Sequence, residues 1–168
     1  MSLSMYDVSI PVLVRGLKNL SHLLEKGAAS AEARKIDPSV LVNARLAPDM
    51  HPLSRQVQIA SDSAKGAASR LSETETPSWP DTETTFPELQ ARIKTTIDYL
   101  ESFKPEQING AEDRTIKMNL GGGEMPFSGR DLLLGFALPN FFFHVVTAHD
   151  ILRHNGVEIG KRDYLGGV

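Results

Sequence analysis

The 168-residue chain contains no cysteine. That excludes disulfides, thiolate metal sites and a cysteine nucleophile together. It also lacks an excess of either charge. Lys and Arg number 18 against 21 Asp and Glu, a formal net charge of −3, and no run of basic residues occurs. A protein that grips a phosphate backbone carries a basic face, so nucleic acid is not an expected partner. No stretch reaches the roughly 18 consecutive apolar residues of a membrane span, so no membrane association is expected. The start, Met1-Ser2-Leu3-Ser4-Met5-Tyr6-Asp7, has no basic segment followed by an apolar run. It is not a secretory signal, and the cytoplasm is the expected location.

Several catalytic signatures are missing as well. Gly121-Gly122-Gly123-Glu124 is not followed by Lys-Ser or Lys-Thr, and Gly160-Lys161-Arg162 lacks the upstream glycine spacing, so neither is a phosphate-binding loop. There is no G-x-S-x-G elbow. The five histidines include no HxxxH or HExxH pair, which leaves only a weak metal signal. Serines, histidines and aspartates are present, but no spacing orders them into a triad.

What is present reads as a globular helical domain. Hydrophobic residues at 40 % and charged residues at 23 % separate the chain from disordered ones. Its length suits one domain, residues 1–168, around one core. Ile10, Leu13, Leu17, Leu20 and Leu24 form one helical face, with Pro11 in its first turns and Gly27 as the expected stop. Asp37-Pro38 predicts an N-cap and a short helix to about Ala44. Asp49 is the expected cap of the next long helix, which places His51 in its first turn. Leu53, Val57, Ala60, Ala64, Ala67 and Leu71 follow as a seam whose alanines admit a close neighbour.

The polar, proline-bearing segment 72–84 reads as a loop, with Trp79 packing back on the bundle. Thr85 and Glu88 have capping-box spacing ahead of the stripe Leu89, Ile93, Ile97 and Leu100. Residues 114–128 break the helical period. The alternation from Thr115 to Leu120, followed by three glycines, predicts a β-hairpin. Ser128 and Asp131 have capping-box spacing again. Pro139 is expected to start or kink the final helix, and Asn155-Gly156 to end it.

That final helix carries the candidate site. Pro139 to Val146 is apolar nearly all round, and such a helix is buried in its own domain or shared with a partner chain. Asn140 and His144 lie four apart, on one face about 40° from each other. Either they hydrogen-bond each other and the backbone, or they hold a metal or a ligand. His149 lies about 140° around the helix from His144, so one ion does not easily take both. His154 sits in the last turn, where a cation offsets the helix dipole, and His22 lies at the edge of a leucine-rich face. Gln56 flanks the second long helix's seam, which brings Gln56, Asn140 and His144 to one predicted pocket between facing helices.

Several segments then carry a resemblance. They are Pro48-Asp49-Met50 with Arg55-Gln56-Val57-Gln58, Pro139-Asn140-Phe141-Phe142-Phe143-His144, and Ile151-Leu152-Arg153-His154-Asn155-Gly156-Val157 followed by Gly160-Lys161-Arg162-Asp163-Tyr164-Leu165-Gly166. Nearly the whole chain resembles a bacterial family of unknown function within the DinB/YfiT-like superfamily. The resemblance implies an all-α fold, a four-helix bundle with a small β-hairpin before the last helices, often paired as a homodimer. Typical members hold a divalent metal with three histidines, one from the second bundle helix and two from an HxxxH on the last. Some are thiol-dependent transferases or isomerases. Carried onto this chain, the HxxxH falls on Asn140 and His144, and the remaining histidine falls near Gln56. One imidazole of three remains, with His51 as a second source.

These readings set the expectations. The chain is a DinB-like bundle with a degenerate metal site that binds a small ligand at Gln56, Asn140 and His144. The alternative is a transferase or hydrolase that uses zinc, nickel or manganese on His144, with His51. The excess apolar surface at Phe141–Val146 implies a homodimer through the last helix.

Overall fold

The computed structural model describes residues 3–119 and 121–166. Met1, Ser2 and Leu120, which entered the readings of the N-terminus and of the hairpin, lie outside the described residues.

Four long helices build the core: α1 (Ile10–Ala33), α3 (Leu53–Ser72), α4 (Phe86–Glu101) and α7 (Leu138–His154). They pack as a ring in the order α1, α4, α3, α7, which leaves α1 facing α3 across the middle. The predicted stripes point inward. Leu13, Leu17, Leu20, Leu24, Val57, Ala60, Ala64, Leu71, Leu89, Ile93, Leu100 and Phe141 are all buried. The short helices α2 (Pro38–Val42) and α5 (Pro105–Ile108) lie in the connections, and α8 (Lys161–Leu165) folds back on α1.

The caps follow sequence chemistry closely. Asp37 accepts the Ser39 N–H at 2.9 Å and starts α2. Thr85 and Glu88 form the complete capping box of α4. Ser128 accepts the Asp131 N–H at 3.0 Å. The hairpin of β1 (Thr115–Asn119) and β2 (Glu124–Ser128) is antiparallel, with Thr115 opposite Ser128 and Asn119 opposite Glu124. Ile116 and Met118 supply its buried face. Trp79 packs back as expected, edge-on to Tyr99 at 6.0 Å with the Lys65 ammonium over its ring.

Two boundaries differ from the sequence reading, and a third helical run starts earlier than it implied. Gly27 does not end α1, which runs two turns further. A Cβ there would lie 2.9 Å from Leu152 Cδ2, so this glycine serves helix approach rather than termination. Asp49 does not cap α3. Its N-cap is Pro52 in extended geometry, and the residue before a proline disfavours the helical region. His51 therefore lies ahead of α3, not in its first turn. Pro139 stands in the first turn of α7, as expected, next to an irregular stretch, but the helical run does not begin there. The helical run begins at α6 (Gly129–Asp131) and passes through a π-helical segment, Leu132–Ala137, before α7. There Leu138 N–H bonds to Leu133 O, five residues back. The wider turn suits the place where proline lacks an N–H and its ring would crowd a carbonyl four residues earlier.

The continuous helix Gly129–His154 spans 26 residues with a mean hydropathy of 1.4, long and apolar enough by length and composition to cross a membrane. Arg130, Asp131, Asn140 and His144 interrupt its sequence, so it contains no unbroken apolar run of that length. In this fold the helix packs against α1 and α3, as expected of a bundle's core helix.

Close approach of α1 and α7 depends on Gly16, where a Cβ would collide with the buried Phe141 ring. Alanine is the better helix former by about 1 kcal/mol, but overpacking costs about 1–3 kcal/mol. Gly16→Ala is therefore expected to lower the denaturant midpoint, whereas Gly135→Ala, with open space around it, leaves it unchanged or raises it. Equal effects at the two positions would contradict this packing account.

Candidate functional site

The helices α3 and α7 run antiparallel, and their polar residues meet in two rungs. In the first, His144 Nδ1 lies 2.7 Å from Gln56 Oε1. The roles follow from the network. Gln56 Nε2 donates to the backbone carbonyl of His51 at 2.9 Å, which turns its oxygen toward the imidazole. His144 Nδ1 must then carry the proton and donate. In the second rung, Asn140 Nδ2 donates to Ser63 Oγ at 2.7 Å. Gln56 and His144 meet as the sequence implies, while Asn140 takes a partner of its own, two turns along α3. Ser63 gave no signal in the sequence because one serine in a helix is unremarkable until its neighbour is known.

His144 is 8 % exposed. Burial, then repulsion from His51 and the Arg55 guanidinium, lowers its pKa to about 4. It is a neutral imidazole near pH 7. With Nδ1 committed to Gln56, the Nε2 lone pair is free. Nε2 has no protein partner among the described residues and is not sealed from solvent. The Phe143 ring stands edge-on beside the imidazole at 5.2 Å. The other histidines are elsewhere. His51 contributes its backbone carbonyl and an exposed side chain, His149 bonds Asp150 at 2.8 Å, and His22 lies 3.4 Å from Asp163.

Next to this pair a charge network holds the 73–85 loop against the bundle. The Arg92 side chain, 2 % exposed, bonds Glu83 and Asp81 of the loop at 3.0 Å each and Asp62 of α3 at 2.9 Å. Arg55 pairs with Asp81 and bonds Gln58 at 3.2 Å, and Gln58 in turn donates to Glu83 at 3.0 Å. The loop thereby fixes Arg55, one of the charges that keeps His144 neutral. Loop acids and helix cations far apart in sequence give no joint pattern, so the sequence reading missed this network.

The donor set does not fit a metal held by three histidines. It offers one imidazole and two amides, and amide oxygens are weak ligands for zinc or nickel. Gln56 Oε1 is already engaged by His144, and Asn140 is tied to Ser63 through its Nδ2. Among the described residues no three His, Asp or Glu side chains cluster as a metal site requires.

Known proteins supply the context. The profile of a domain of unknown function, DUF1993, matches residues 5–165. A DinB family member protein from Shewanella denitrificans, with a crystal structure at 1.83 Å resolution, is 42 % identical. The match covers 97 % of this chain and 92 % of that one, at a TM-score of 0.88. No curated protein matches the chain.

The neutral state of His144 makes a pH prediction. Its pKa is about 4 when folded and near 6.5 when unfolded, so the unfolded chain takes up the proton first. The resulting penalty is absent above about pH 6.5 and grows as the pH falls toward about 4. The stability difference between the parent and His144→Leu should follow that window. A difference that is flat with pH would contradict a buried neutral imidazole. Gln56→Ala, which strands Nδ1–H, is expected to cost about 1–3 kcal/mol in chemical denaturation.

Proposed function

Since the chain belongs to the DUF1993 family and shares its bundle with a DinB family member, we propose that it is a cytoplasmic, homodimeric binding protein. Its degenerate metal site takes a small polar ligand at the α3–α7 rungs. The observation that carries this reading is the His144–Gln56 bond at 2.7 Å, which orients a neutral imidazole with its Nε2 lone pair free. Such a group accepts a hydrogen bond from an N–H or O–H of a ligand. Asn140 and Ser63 flank it as further polar contacts.

The homodimer is carried by a second surface of the same helix. Phe143 is 56 % and Val146 39 % exposed, three residues apart on one face. Grouped apolar exposure of this kind marks an interaction surface, and a two-fold pairing buries the same patch on both copies.

A divalent-metal transferase or hydrolase is the second reading. It is favoured by the orientation of His144 through Nδ1, since ligating histidines usually hold their other nitrogen on a carbonyl-type partner.

One set of experiments on untagged protein separates these readings. Simple amides and alcohols titrated against the parent should move the His144 ring resonances, and zinc, nickel and manganese should leave the melting temperature unchanged. Light scattering should give twice 18.4 kDa, falling to the monomer in Phe143→Asp. A metal-dependent rise in melting temperature that is lost in His144→Leu turns the site to the metal reading. Ring resonances unmoved by any probe contradict a binding role, and a monomeric parent contradicts the dimer.

A further inference from the structure

A cleft of about 230 Å³ opens on the flank of α7 turned toward α1, away from the His144 rung. Its walls are apolar, made by Val12, Phe142, Val145 and Leu165. One end is closed by α8, which two side chains of α1 hold in place. Arg15 Nη2 donates to Leu165 O at 3.0 Å, and Asn19 Nδ2 donates to Tyr164 O at 2.9 Å. The cleft is therefore built by tertiary contacts and closed by specific hydrogen bonds.

The charges around it are unequal. Nearby carboxylates are taken: Glu101 pairs with Lys18 at 3.0 Å, and Asp163 pairs with Lys26 and His22. Arg15, at the mouth, has no carboxylate partner among the described residues, and neither does Arg162 on the neighbouring α8. The chain as a whole carries −3, so a guanidinium that meets no carboxylate among the described residues, beside an apolar cleft, runs against its general charge. A guanidinium offers five N–H donors, of which Leu165 O takes one, and the remaining fork matches a planar carboxylate. The cleft's volume lies below the roughly 300–1,000 Å³ of sites for drug-sized ligands, which sets a small occupant.

We propose that this cleft binds a small amphiphilic carboxylate, its hydrocarbon part between Val12, Phe142, Val145 and Leu165 and its carboxylate on Arg15. The site is separate from the α3–α7 rungs and does not depend on what they bind.

Hexanoate is the probe, titrated into the full chain by calorimetry and followed by NMR. Saturable binding is expected, with shifts centred on Val12, Phe142 and Val145. Hexan-1-ol, which lacks the charge, should bind at least tenfold more weakly, a difference of about 1.4 kcal/mol. Arg15→Gln should lose at least tenfold, and Val12→Phe, which fills the cleft, should abolish binding at an unchanged melting temperature. His144→Leu should leave hexanoate binding intact, which separates this site from the one proposed above. No saturation by about 10 mM, an affinity weaker than any specific small-ligand site needs, overturns the proposal. So does equal binding of hexan-1-ol, or undiminished binding in Arg15→Gln. Val12 and Phe142 resonances that move on dilution without hexanoate would place a second copy of the chain in the cleft and overturn it too.

Discussion

A helix as apolar as Leu138–His154 can turn a histidine and an asparagine toward a neighbouring helix only if that neighbour satisfies them. An unpaired polar group in such a place costs about 1–3 kcal/mol. Here α3 supplies the partners at matching heights, Gln56 for His144 and Ser63 for Asn140. The two rungs fix the height at which α3 and α7 meet, since a shift by one residue would break both. Apolar packing, with Phe141 against Gly16 and Leu152 close to Gly27, sets how near α1 comes to the same helix. The candidate site is thus a by-product of the packing and also one of its constraints.

The same helix separates its tasks by direction. Toward α3 it carries the polar rungs. Toward α1 it lines the cleft with Phe142 and Val145. Outward it shows Phe143 and Val146. This arrangement accounts for a composition apolar on nearly every face, more than one core could use. The loop 73–85 adds an electrostatic layer, because Asp81 and Glu83 anchor Arg55 and Arg92. Arg55, held by this loop, adds to the burial that keeps His144 neutral.

Much of this was legible in the sequence, and for physical reasons. Helical stripes, the Thr85–Glu88 box, the Asp37 cap and the glycine-turned hairpin are local patterns, set by neighbours a few residues away. Gln56 and His144 were legible as a pair because each is a polar residue at the edge of an apolar seam. The failures have one cause. Gly27 as a stop and Asp49 as a cap are sound local rules that tertiary context overrides. A glycine stays in its helix where Leu152 needs room, and a proline moves the start of α3. Ser63, the Arg92 network and the Arg15 cleft were hidden for a related reason: each joins residues distant in sequence, with no periodicity to announce them.

The central claim is that His144 is a neutral imidazole, held by Gln56 with its Nε2 lone pair presented outward. The most direct measurement is long-range proton–nitrogen NMR of the imidazole ring in the full chain at about pH 7, where an ordinary histidine, with a pKa of about 6.5, is still partly charged. The account predicts a protonated Nδ1 and an unprotonated Nε2 for His144 in the parent, with the preference lost in Gln56→Ala. A protonated Nε2, or a cationic ring at that pH, would contradict it.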